Sequence, residues 1–241
     1  MNFLKFLIEE KNFERNRINL LTHAQNFSSD NLTKETSKYL GHVTSTFYGA
    51  NSSLHDYCTQ VNGSFDKKII GLKNLSDSGI DLHIKILTNK LNYNTLDDFI
   101  DLCSKYFSES HIIIGWLCLI GNAWTNRELL TMSLPDAKSN IESAIEKARD
   151  NSLNLNLSIP LCSIDPYYWE GHLPGNLKKG LEKVIFINPE YSIEEKKPED
   201  VPLFSKPSKL CDSCILKEKC VWEWEGYDLY WDVEKMLKPI H

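Results

Sequence analysis

The chain has 241 residues, 41% hydrophobic and 25% charged, the composition of an ordinary globular protein with enough apolar material for one sizeable core. A formal net charge of −6 excludes the basic footprint that nucleic-acid binding requires. The longest apolar run, Ile112 to Ile120, is too short to span a bilayer and reads as a buried strand.

Met1 to Glu10 opens with a short apolar stretch soon followed by acids. It has no small-residue cleavage site, so a secretory signal is not expected. Ile18 to Leu21 is a short apolar run. Leu32 to Leu40 has a helical pattern that Ser29 or Asp30 can cap. Val43 to Tyr48, rich in β-branched and aromatic residues, predicts a strand. Gly49 to Gly63 reads as a polar loop. Ser64 then caps a helix whose apolar positions Ile69, Ile70, Leu72 and Leu75 share a face, with Gly79 closing it.

Ile80 to Thr88 is the clearest strand: Ile80, Leu82, Ile84 and Ile86 alternate with Asp81, His83 and Lys85. Thr95 and Asp98 resemble a capping box for a helix through Phe107. His111 to Ile120 is apolar on both faces, as in a central parallel strand. Pro135 suits the first turn of a helix to about Asp150. Leu153 to Ile159 alternates again, and Val184 to Ile187 is a last strand candidate.

Repeated strand–helix–strand units imply a parallel α/β sheet with right-handed crossovers. In two strands the second face is polar. Either the sheet curves into a partial barrel whose mouth holds a ligand, or those strands lie at an edge facing water. Residues 1–190 are taken as the (β/α) unit and 191–241 as a tail. Ile193 to Lys209, rich in Glu, Lys and Pro, reads as a linker. An aromatic run with Trp222, Trp224, Tyr227, Tyr230 and Trp231 ends the chain.

Between linker and aromatic run the tail spells C-D-S-C-I-L-K-E-K-C, with Cys211, Cys214 and Cys220. Two thiolates two residues apart grip one site from a tight turn, and a third can return to it. Soft thiolates select zinc or iron–sulfur clusters. A fourth ligand candidate is Cys162, just past the strand Leu153 to Ile159, where parallel α/β folds place their chemistry. Its alternative is a small buried core residue. The only tail histidine is His241, which tilts the reading from zinc toward iron–sulfur. Cys58, Cys103 and Cys118 read as core or loop thiols. Seven cysteines, an odd number, fit free or metal-bound thiols in a reducing cytoplasm better than disulfides.

Thr44 to Leu82 resembles the middle of radical S-adenosylmethionine enzymes: a strand, a loop with His55-Asp56, a helix starting Gly63-Ser64-Phe65, and a strand starting Gly79-Ile80. Pro160-Leu161-Cys162 and the tail cysteines resemble members with a SPASM-like auxiliary cluster that modify peptides. The resemblance runs from about Ile18 to Cys220. It implies an incomplete parallel (β/α) partial TIM barrel with a small Cys-rich extension carrying an auxiliary 4Fe-4S cluster. The family's defining C-x-x-x-C-x-x-C occurs nowhere in the chain, nor does its Gly-Gly-Glu segment. After the third tail Cys the order is Val221, Trp222, Glu223, Trp224, where the family often has a Gly and then a Tyr.

The expectation is therefore a subunit of a split enzyme. A second polypeptide carrying C-x-x-x-C-x-x-C and the missing strands would dock at the Ile18 to Leu21 edge, whose backbone seeks a partner. S-adenosylmethionine would bind only in that complex, and a ribosomally made peptide is the expected substrate. Alternatively, Asn2 to Glu10 covers the edge, or the start of the gene was lost. By the resemblance, Lys85 and Thr88, placed on the polar side of their strand near its C-terminal end, help hold the cofactor, with Asn122 at the next strand end. A solvated lysine and a loop-capping asparagine are the plainer readings. His55 with Asp56 is a candidate acid–base pair. Asp165, Tyr167, Tyr168 and Trp169 are candidates for a pocket mouth. The competing functional reading is a non-catalytic peptide- or partner-binding module with a structural metal site, zinc included.

Overall fold

Alternation of apolar and polar residues at period two builds the central sheet. β1 (Asn19–Leu21), β2 (His42–Phe47), β3 (Asp81–Thr88), β4 (His111–Trp116) and β5 (Asn154–Ser158) are all parallel, in the order β1-β2-β3-β4-β5. The structure is a computed structural model and describes residues 2–169, 184–187, 193–196, 205–206, 209–217, 220, 223–224, 227 and 232–240. Between the strands lie α1 (Asp30–Thr36), α2 (Ser52–Thr59), α3 (Ser64–Asp77), α4 (Leu96–Tyr106) and α5 (Leu134–Asp150). Among the described residues, no helix is long and apolar enough to cross a membrane.

The strand order never doubles back. Right-handed crossovers then place the helices on one face of the sheet. On that face Val43, Phe47, Ile84, Ile86, Ile112, Ile114 and Leu157 are buried in one core with Leu72 and Leu75 of α3, Phe99 and Ile100 of α4, and Ile141 and Ile145 of α5. On the other face the register lines up polar layers across the strands. Thr44, His83, His111 and Asn154 form one, and Thr46, Lys85 and Asn156 the next, interrupted by Ile113. Thr44, Thr46, His83 and Lys85 are half-buried, and Asn154 and Asn156 are exposed. Because β3 lies between β2 and β4, an edge position does not explain its polar side. β1 pairs only with β2 among the described residues, and Leu21 is 75% exposed there.

Several expectations are corrected. The supposed polar loop at 49–63 contains α2, because the Asn51 side chain accepts from the Leu54 N–H at 3.0 Å and caps a full helix. Gly63, at φ +73°, occupies the cap position of α3, and Ser64 is its first residue. Ile70 points outward, 49% exposed, while Lys68 and Gly71 share the buried face. Thr95 precedes α4, but its hydroxyl donates to the Asn92 carbonyl and no capping box forms. β4 stops at Trp116, leaving Leu117 to Ile120 outside the strand. β6 (Val184–Ile187) is a strand, as expected, and lies in a separate two-stranded sheet. It pairs antiparallel with β7 (Ile193–Lys196), inside the stretch expected to be linker. That stretch also contributes β8 (Ser205–Lys206), antiparallel to β9 (Glu223–Trp224). Trp222, Tyr230, Trp231 and His241 lie outside the described residues.

Helix α3 carries two features that shape the end of the sheet. At Gly71 a Cβ would lie 2.1 Å from the Ala24 carbonyl oxygen, so only glycine lets the turn after β1 rest on the helix. Lys68 is fully buried. Its Nζ donates to the Thr46 carbonyl at 2.5 Å and the Ser45 hydroxyl at 3.2 Å, and lies 4.8 Å from the centre of the Phe47 ring. Burial lowers its pKa to about 7. His55, also buried, is lowered to about 4 by burial first and by Lys68 second.

Two measurements test this description. Gly71→Ala should cost about 1–3 kcal/mol in urea unfolding, the range for an overpacked core contact. For the two bases the folded state binds fewer protons than the unfolded one. Stability should therefore climb between about pH 4 and 6.5 as unfolded His55 gives up its proton, and again between about 7 and 10.5 through Lys68. Lys68→Met should remove the second rise and add roughly 1–3 kcal/mol at neutral pH, by taking a buried cation out of the core. A variant with the wild-type pH profile would contradict this account of Lys68.

Candidate metal centre

Beyond β5 the chain turns at Pro160, and Leu161–Ser163 form one 3-10 turn. The turn is pinned twice: the Ser163 hydroxyl donates to the Pro160 carbonyl at 2.6 Å, and the Trp169 indole N–H donates to the Leu161 carbonyl at 2.9 Å. Cys162 sits in the middle of it. In the tail, Lys209–Ser213 form another 3-10 turn. There the Cys214 N–H reaches the Cys211 carbonyl at 3.1 Å, and the Lys217 N–H reaches the Cys214 carbonyl at 3.1 Å. The two-residue spacing thus closes into a tight turn carrying both thiols. A third segment follows α6 (Val233–Met236). Met236 and Leu237 are buried in the main core, and the Ile215 N–H donates to the Ile240 carbonyl at 3.0 Å.

These three segments enclose one small cavity lined by Cys162, Cys211, Cys214 and Cys220, with Pro160, Leu161, Leu216, Lys217, Leu237, Pro239 and Ile240 around them. The centre of a water molecule can range over about 20 Å³ of it, so the void is several ångströms across once the water's own radius is added. The four cysteines named from the sequence are therefore brought together, although Cys162 lies far from the others along the chain.

Backbone amides point at the sulfurs. The Leu161 N–H donates to Cys220 Sγ at 3.4 Å and the Ile240 N–H to Cys214 Sγ at 3.5 Å. A third bond runs from the Lys238 backbone to Cys162. Such donors favour the thiolate over the thiol. Burial acts the other way and dominates. It raises the Cys162 thiol pKa, with Cys211 and Cys214 adding to the rise, and pushes Cys220 up to about 12. A positive metal centre among the four sulfurs would supply the charge that the apolar walls withhold. Lys217 is paired with Asp212 at 2.8 Å. Among the described residues, no three His, Cys, Asp or Glu side chains close round a point as a single metal ion requires.

The segment 237–240 was missed from the sequence. Its Leu-Lys-Pro-Ile pattern, apolar residues around a proline, is the signal that could have raised it, but nothing in the spacing ties it to Cys214. Tyr227, from the aromatic run, is buried with its ring 6.2 Å from that of Trp116 and does not line the cavity.

The other candidates go elsewhere. Lys85 is on the polar face, as expected. Its Cε lies 3.1 Å from where a Cβ on Gly115 would be, so the missing side chain on β4 gives it room to lie across the sheet. Burial lowers its pKa, and the neighbouring Cys118 thiol opposes the shift. Thr88 is corrected: the two-residue period puts it with Leu82, Ile84 and Ile86 on the helix-facing side, fully buried. Asn122 is exposed at the start of a short helix, Asn122–Thr125, and its carbonyl accepts from the Asn126 N–H and side chain. None of the three lines the cysteine cavity.

His55 and Asp56 are not an acid–base pair. His55 Nδ1 accepts the Tyr48 N–H at 3.2 Å. Asp56 instead caps α3, accepting from the Gly63 N–H at 2.6 Å, the Ser64 hydroxyl at 2.8 Å and the Phe65 N–H at 2.9 Å. Asp165 accepts the Tyr167 N–H, and Tyr168 donates to Glu146 of α5 at 2.6 Å. Both tyrosines lie under the Arg149 guanidinium, so they clasp the helix. Cys103 is buried within α4, and Cys58 lies on α2. Searched against family models and curated proteins, the chain matches none.

Proposed function

We propose that Cys162, Cys211, Cys214 and Cys220 hold an iron–sulfur cluster, and that the chain is a subunit of a radical S-adenosylmethionine-type assembly that modifies peptides. The observation that carries the reading is the convergence of four thiols, from the end of a central-sheet strand and from the tail, on one apolar-walled cavity. Zinc draws four thiolates to within about 4 Å of each other around a point. Thiols facing a void several ångströms across suit a group with volume of its own, and amide donors to sulfur are the usual tuning of such a cluster. A cluster held by four cysteines has no open iron, so its role is auxiliary: electron transfer or support of the substrate wall.

The strictly sequential parallel sheet with its polar second face supports a partial (β/α) barrel. Its polar face, with Lys85 and Asn156, is the proposed substrate wall. A second polypeptide bearing C-x-x-x-C-x-x-C pairs with the open edge of β1 and brings the cluster that cleaves S-adenosylmethionine. That cofactor supplies the radical chemistry. This chain positions the peptide and excludes water.

A second reading has its own support. The cavity is closed over by the chain's own 237–240 segment, as structural zinc sites are, and the protein is then a peptide- or partner-binding module.

Anaerobic purification separates the two. The cluster reading expects iron and acid-labile sulfide in equal amounts, with a broad brown absorbance that Cys162→Ala, Cys211→Ala or Cys220→Ala abolishes and Cys103→Ser leaves intact. Stoichiometric zinc without iron, or full colour in Cys162→Ala, overturns it. Co-expression with a C-x-x-x-C-x-x-C polypeptide should give a stable complex that a charged residue at Leu21, such as Leu21→Glu, weakens.

A further inference from the structure

A separate cleft of about 480 Å³ opens where β1 and β2 end, on the side of the sheet where parallel α/β folds bind ligands. Thr22, His23, Gln25, Tyr48, Cys58 and Thr59 line it, with no carboxylate among its walls. The His23 and Tyr48 rings stand 5.8 Å apart. Beneath them lies Lys68, its Nζ 5.9 Å from the centre of the Tyr48 ring.

The electrostatics of this corner are unbalanced. The two hydrogen bonds of Lys68 go to neutral oxygens, and no carboxylate pairs with it among the described residues. Asp56 is the nearby acid that acts on His55, but its two oxygens are engaged by the start of α3. His55 keeps its Nε2 buried without a partner. Burial lowers the pKa of both His23 and His55, and the Lys68 charge adds to the lowering in each. A buried cation without a counter-charge is costly, and an anion placed in the adjoining cleft relieves that cost.

We propose that the cleft binds the carboxylate or phosphate group of a small organic ligand, contacted by His23 and Tyr48 and held by the field of Lys68. The volume exceeds that of a bare ion, so the rest of the ligand lies along Thr22, Gln25 and Thr59, whose side chains suit hydroxyl or amide groups. The site is independent of the cysteine cavity and of what that cavity holds.

Isothermal titration calorimetry of the full chain, with inorganic phosphate and separately with succinate at fixed ionic strength, tests the assignment. Saturable one-to-one binding is expected for at least one probe. Phosphate alone points to a phosphorylated ligand and succinate alone to an organic acid, while binding of both identifies a general oxyanion site. Lys68→Met, a variant that should fold more stably than wild type, is expected to weaken binding about tenfold or more. His23→Gln should weaken it too. No saturable binding of either probe, or equal affinity in Lys68→Met, overturns the proposal.

Discussion

Parallel pairing in unbroken sequential order is the constraint on which the rest of this structure depends. Each right-handed crossover must then return on the same side, so one face of the sheet receives the crossover helices. The apolar half of each alternating strand is committed to the helices. The polar half is left to line whatever lies opposite. This division explains why β3 carries His83 and Lys85 at the centre of the sheet, and why Thr88, one position out of phase with them, is buried on the other side.

The two candidate sites sit at strand ends for the same reason. Backbone groups at a strand terminus lose their ladder partners and need others. After β5, that need is met by a proline-led turn whose Leu161 amide is offered to a sulfur. After β1 and β2, the turn through Ala24 settles against Gly71, and the Tyr48 amide is taken by His55. One end thereby gathers soft, apolar-walled ligands and the other gathers basic and hydroxyl-bearing ones. Their chemistries differ enough that one ligand class would not serve both.

Legibility in the sequence followed the physics of each signal. β3 was plain because its alternation spans a whole strand, and α5 because proline marks its start and its apolar stripe is long. α2 was lost because Ser52 to Thr59 contains few apolar residues and is stabilised by a single asparagine cap that periodicity does not detect. Val184 to Ile187 was legible as a strand, but composition does not encode the direction of its pairing, which is antiparallel. The tail cysteines were legible from spacing alone. That Cys162 joins them is a long-range contact, and short-range patterns do not carry such contacts. Lys68 escaped notice for a related reason: its charge suggests an exposed position, while its place on the helix face, four residues before Leu72, puts it inside.

Gly115 and Lys85 carry a consequence for the history of the protein. The lysine lies close over β4 at position 115, where a Cβ would meet its Cε at 3.1 Å. The two positions are thus one steric decision made on neighbouring strands. In related chains a larger residue at 115 would push the side chain at 85 aside, so the pair should vary together: glycine with a long side chain, or a bulkier residue with a short one. Such correlated exchange would record whether lineages kept the lysine lying flat along the polar face or gave it up.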